Sequence, residues 1–212
     1  MSLAAGCPRC STPLARGEEG DWTCATHGPV APLWRPAAAS YDGFAEHLEV
    51  AGGFPTYLPW PLGPGWSVSD FGVVGDRAER TCATMACCSG TSQLDGPVDV
   101  LVVNEEAGTG LGARCAGLEG DGPSAEVHDE PPVVRVQIEA RSVPLWAVST
   151  STAARELDRS VLAGEAGGRW LWLVVRPAAA VLLLRDDWIL RDVSGAGPLL
   201  VEMPFGGPTP QW

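Results

Sequence analysis

The 212-residue chain has no lysine; all fourteen of its basic residues are arginine. Asparagine occurs once, at Asn104, and isoleucine twice, at Ile138 and Ile189. This bias against AT-rich codons describes the coding sequence and excludes no activity. The shortage of positive charge says more: 14 Arg face 26 acids, for a net charge of −12. Duplex binding is driven by a basic patch that releases counterions from phosphates, so nucleic acid is disfavoured as a partner. The first forty residues are neutral, with Arg9, Arg16 and Arg35 balancing Glu18, Glu19 and Asp21. The remainder holds 23 acids against 11 Arg, and an acidic body of that kind is repelled by anionic membrane surfaces.

Long hydrophobic runs are also missing. The longest apolar tract, 170–184, is broken by Arg176 and Pro177 and falls short of the roughly 18–20 residues that cross a bilayer, so no membrane insertion is expected. No basic stretch leading into an apolar core of ~7–15 residues precedes Cys7, so the chain is expected to be cytoplasmic. Seven cysteines without an export signal suit a reducing compartment better than a disulfide framework. The P-loop, G-x-S-x-G and H-E-x-x-H patterns are all absent. What remains is a globular composition, 45% hydrophobic with nine Trp, long enough for one domain and a small module.

The strongest local signal is Cys7-Pro-Arg-Cys10, thirteen residues, then Cys24-Ala-Thr-His27. Two residues between donors place each pair on one tight knuckle, and the intervening stretch can double back to bring the pairs around a tetrahedral ion. Residues 13–15 and 21–23 can pair as short strands across the turn Arg16-Gly-Glu-Glu-Gly20. Three thiolates and one imidazole suit Zn2+, and four protein ligands leave no open coordination position, so the zinc is read as structural. A stretch with as few large apolar residues as Leu14, Trp22, Leu33 and Trp34 would not fold unaided.

Pro29, Pro32 and Pro36 suggest a stiff connector, which divides the chain into a zinc-ribbon-like module, 1–39, and a body, 40–212. Ser40 can cap a helix over 41–51 with Tyr41, Phe44, Ala45 and Leu48 on its apolar face and His47 on the solvated one. The proline-rich segment 54–66 reads as extended, with Trp60 and Trp66 able to pin it to the core or to form a clamp for a ligand or partner. Strands are expected over 66–74, 81–89, 98–104, 133–140, 145–148, 170–176, 181–184 and 188–193, with weaker helical signals at 111–118 and 152–159. The fold class is therefore α+β, a mainly antiparallel β body with a small N-terminal zinc-ribbon module.

Gly108-Thr-Gly110-Leu-Gly112-Ala113 matches the outline of a nucleotide-binding loop, but Glu105 and Glu106 just before it would repel a pyrophosphate. A turn or a short helix start is the plainer reading. Cys82, Cys87, Cys88 and Cys115 lack an evident base: His47 and His128 are the histidines outside the metal array, and His128 sits in an acidic stretch. Core packing is the expected role of these cysteines.

Taken together, Cys7-Pro-Arg-Cys10, Cys24-x-x-His27-Gly28, Leu58-Pro-Trp-Pro-Leu62, Gly65-Trp66, Gly110-Leu-Gly-Ala-Arg114 and Trp170-Leu-Trp172 resemble an uncharacterised family of actinobacterial proteins across nearly the whole chain. The resemblance implies no activity. The features weigh against an enzyme and toward an interaction or regulatory protein with a structural zinc and a protein partner of unknown identity. The alternative is a small-molecule binder or enzyme whose pocket unites Trp60 and Trp66 with Gly110, Gly112 and Arg114.

Overall fold

The computed structural model describes residues 3–17, 20–76, 80–123, 130–150, 158–184, 188–197 and 202–212. Three long neighbouring strands form its spine: β7 (Ser67–Asp76), β8 (Arg80–Ser92) and β9 (Gly96–Glu105), each antiparallel to the next. The run Trp170-Leu-Trp-Leu-Val-Val175, apolar on both faces, forms β13 (Arg169–Arg176) between β9 and β12 (Ser160–Ala166), as an interior strand requires. β11 (Arg141–Ala147) and β10 (Val134–Ile138) continue the antiparallel series, and the alternation of Val134, Val136 and Ile138 buries one face of β10. β14 (Ile189–Asp192) pairs parallel to β10, and β6 (Tyr57–Trp60) closes that end antiparallel to β14. At the other end β7 pairs with β5 (Leu33–Arg35), and β5 with β1 (Ala4–Gly6). The result is a mixed, largely antiparallel sheet of eleven strands with few helices.

Residues 14–29 form a separate three-stranded sheet: β2 (Leu14–Arg16), β3 (Trp22–Cys24) and β4 (Gly28–Pro29). Both flanks of this small sheet run into the large one, because β1 precedes it and β5 follows it. Where prolines 29, 32 and 36 suggest a stiff connector, Leu33–Arg35 is thus a strand, with Leu33 and Trp34 paired to Val74 and Val73.

One face of the spine packs Met85, Leu101, Val103, Trp172 and Val174 under α2 (Leu111–Ala116). The opposite face carries Val100, Val102, Leu171 and Leu173 against Val136 and Leu145, so the sheet curls over itself. A third cluster packs Phe44, Leu58, Phe71, Ala86 and Cys88 beneath α1 (Tyr41–Ala51). Ser40 caps α1 by accepting from the Gly43 N–H at 3.2 Å, and Gly52 ends it in the left-handed conformation at φ 58°.

Two expectations are corrected. His47 is buried rather than solvated: its ring stacks on Phe44 with centroids 5.4 Å apart and lies 5.5 Å from Phe71, and Nε2 pairs with Thr56 Oγ1 at 3.1 Å. The chain leaving α1 doubles back over it, so the buried arc of the helix includes the position the apolar pattern left outside. Second, 181–184 is not a strand. Ala178–Leu183 is a 3-10 helix after Pro177, and a short apolar run does not by itself distinguish the two. The helical signal at 152–159 lies mostly outside the described residues.

Candidate metal centre

The turn after β1 carries Cys7 and Cys10, while Cys24 ends β3 and His27 immediately precedes β4. Pairing of Leu14 with Cys24 across β2 and β3 folds the hairpin back and brings the two knuckles together. The three Sγ atoms and one imidazole nitrogen all lie within 4.8 Å of one another. The Cys7 Sγ to His27 Nδ1, Cys24 Sγ to His27 Nδ1 and Cys10 Sγ to Cys24 Sγ separations are each 3.6 Å. A tetrahedral ion at ~2.3 Å from sulfur and ~2.0–2.1 Å from nitrogen has edges of roughly 3.5–3.8 Å, so this donor set fits a metal such as zinc.

The knuckles favour thiolates in part. Burial pushes the Cys7 thiol up to about 11, although the Arg9 N–H donates to its Sγ at 3.4 Å. Burial acts the same way on Cys24, but the N–H groups of Thr26 and His27 outweigh it and hold that thiol down at about 7. The neighbouring thiols act in both directions, raising Cys7 while helping to lower Cys24, and a divalent cation would replace the protons.

Two arginines fasten the cluster to the body. Arg9, inside the first knuckle, donates through Nε to Thr109 O at 3.2 Å and through its terminal nitrogen to Gly108 O. Arg114 of α2 donates to the main-chain carbonyl of Cys7. Gly110, at φ 82°, leaves room for this contact, since a Cβ there would stand 3.0 Å from Arg9 Cγ.

The start of α2 is occupied from within the protein. Glu105 Oε2 accepts from the N–H groups of Leu111 and Gly112 at 2.8 and 3.2 Å, and Oε1 accepts from Trp172 Nε1 at 2.7 Å. Burial pushes the Glu105 carboxyl up to about 7 against the pull of those three donors, with Asp121 adding to the rise. Gly112 is where the Trp172 ring closes on the helix, and a Cβ would meet its Nε1 at 2.2 Å. The glycine-rich segment is thus a docking platform for the first knuckle, with an internal carboxylate where the motif's outline would seat a phosphate. Neither Glu105 as helix cap nor Arg9 as clamp is anticipated from sequence; an acid directly preceding G-x-G-x-x-A is the one local sign of the former.

Trp60, Trp66 and the four cysteines of the body do not join the cluster. Trp60 and Trp66 flank two open grooves of about 420 and 480 Å³ that they share with Pro61, Leu62 and Gly63. A smaller hollow of about 250 Å³ lies beside the contact between Arg9 and the glycine-rich segment and is lined by Arg9, Cys82, Glu106, Gly108 and Thr109. None of these three cavities joins Trp60 and Trp66 with Gly110, Gly112 and Arg114. Cys87, Cys88 and Cys115 are buried, and burial raises all three thiols, Cys115 to about 12. Cys82 is half-buried and also raised, by burial and then by Glu106. His128 lies outside the described residues.

Fold and site together define a β-rich protein with a Cys3His cluster built onto the end of an eleven-stranded sheet. Over its full length, residues 1–212, the chain belongs to a family of unknown function, DUF6758. Comparison with curated proteins and with solved structures gives no match.

Proposed function

We propose that this is a cytoplasmic, non-enzymatic interaction or regulatory protein in which Zn2+ held by Cys7, Cys10, Cys24 and His27 is a structural clasp. The observation that carries the reading is the compact donor set: four ligand atoms within 4.8 Å of one another would fill a tetrahedral sphere around an ion and leave no position for water or substrate. The clamp from Arg9 and Arg114 to the glycine-rich segment supports it, because the centre is fixed to the body and the helix start beneath it is already filled by Glu105. The described histidines also have other partners than the body's thiols, His27 within the cluster and His47 on Thr56. The net charge of −12 favours a protein partner over nucleic acid, and no helix of the described residues is long and apolar enough to cross a membrane.

Affinity capture with zinc-loaded and with chelated full-length protein tests the reading. A protein retained by the loaded form and lost on chelation is the expected result. Turnover of a small metabolite, abolished by one substitution in the body that leaves the fold intact, would contradict it.

A further inference from the structure

The segment linking α1 to β7 carries Pro55, Pro59, Pro61 and Pro64, so it can enter a sheet only at an edge, and β6 is the edge strand it supplies. Beyond β6 the chain forms a ridge with an open groove on each side, and Trp60 and Trp66 are common to both grooves. The ridge is preformed. Trp60 is paired to Ile189, and the Arg191 guanidinium lies 4.7 Å from its ring centroid. The Trp66 ring occupies the space that a Cβ on Gly90 would need, 2.4 Å away.

The lining differs between the two sides. Leu183, Trp188 and Ile189 complete the first groove, which has no ionisable side chain. Pro64, Met203 and Pro204 line the second, with one carboxylate, Glu202, exposed to solvent. Three indole N–H groups outside the ridge are used, those of Trp34, Trp146 and Trp172, which donate to Gly75 O, Glu130 O and Glu105, while Trp212 Nε1 is buried without an acceptor. Those of Trp60, Trp66 and Trp188 have no acceptor among the described residues.

We infer that this ridge docks an extended, proline-rich segment of a partner protein that carries a basic residue. The inference rests on the interaction reading above and supplies its partner chemistry. Grooves this open would leave a small molecule largely in water, whereas small-molecule sites bury most of their ligand. A polyproline II segment suits them: its rings lie against aromatic faces, and its carbonyls, free of internal hydrogen bonds, accept from indole N–H groups. Glu202 at the rim of one groove, on a chain of net charge −12, selects a basic residue.

The test uses zinc-loaded full-length protein titrated calorimetrically with two synthetic probes, an oligoproline decamer and the same peptide ending in arginine. Both should bind, the arginine peptide more tightly. Glu202→Gln, an exposed change, should erase that preference. Trp188→Ala should weaken both peptides at least tenfold, and Trp60→Phe, which keeps a ring but removes the donor, about fivefold. Absence of binding at millimolar peptide by protein with an unchanged circular dichroism spectrum would overturn the inference, as would binding indifferent to all three substitutions. If a metal-dependent partner is captured and Trp188→Ala leaves that capture untouched, the interaction reading survives and this one fails. If the peptides bind as described but chelation changes no capture, the ridge stands and the metal-dependent part of the reading fails.

Discussion

Arg114 in α2 donates to the main-chain carbonyl of Cys7, tying a helix of the body to the first cysteine of the Cys3His cluster across more than a hundred residues of sequence. Arg9 makes the reciprocal connection, from the knuckle to the carbonyls of Gly108 and Thr109. The cluster is therefore braced by the body, and its retention of metal should depend on residues that touch no metal.

Arg114→Ala should lower the unfolding free energy of the zinc-loaded protein by about 1–2 kcal/mol, the scale of one charged hydrogen bond, half-exposed. It should also speed zinc transfer to excess chelator several-fold, and adding Arg9→Ala should speed it further. Stopped-flow transfer to a chromophoric chelator reads this directly, and identical rates in wild type and double variant would mean that the clamp plays no part.

Gly112 and Gly108 separate two reasons for glycine. At Gly112 the backbone is ordinary but a Cβ would stand 2.2 Å from a buried indole; at Gly108 the space is open and φ is 85°. Gly112→Ala should cost about 3 kcal/mol, as overpacking does, and Gly108→Ala about 1 kcal/mol, the cost of a left-handed residue. Urea denaturation of the two variants gives the order, and a larger loss at Gly108 would show that Trp172 is free to move aside.

Glu105 makes stability depend on pH. Its carboxyl is raised from 4.5 to about 7, so between those values the unfolded chain releases a proton that the folded one keeps, and stability falls as pH rises. Between pH 5.5 and 7.5 the loss is on the order of 2 kcal/mol. His47 acts in the opposite sense: burial holds it at about 3, so its contribution is lost as pH falls below 6.5. The difference between wild type and Glu105→Gln cancels the histidine term. That difference should change by the stated amount across the interval, in favour of the variant at the alkaline end, and parallel stability curves would refute the assignment.

Legibility in the sequence followed the range of the interactions. The Cys7, Cys10, Cys24 and His27 array could be read because metal spacing is local, and β10 because alternation needs five residues. β1 and β5 could not: each is three residues long and exists through pairing with distant strands, β5 with β7 above all. Burial of His47 depends on the return of Thr56, outside the helix whose periodicity was read. Glu105 was legible as an obstacle to phosphate but not as the group that caps the same helix, because Trp172, sixty-seven residues on, supplies the third hydrogen bond.

Whether one metal ion sits on these four side chains is decided by metal analysis of freshly isolated protein combined with X-ray absorption at the zinc edge. One zinc per chain is expected, with a shell of three sulfurs and one imidazole nitrogen, reduced to two sulfurs and loosely held in Cys10→Ser. Protein that is folded and free of zinc and iron, or a shell dominated by oxygen, would contradict it.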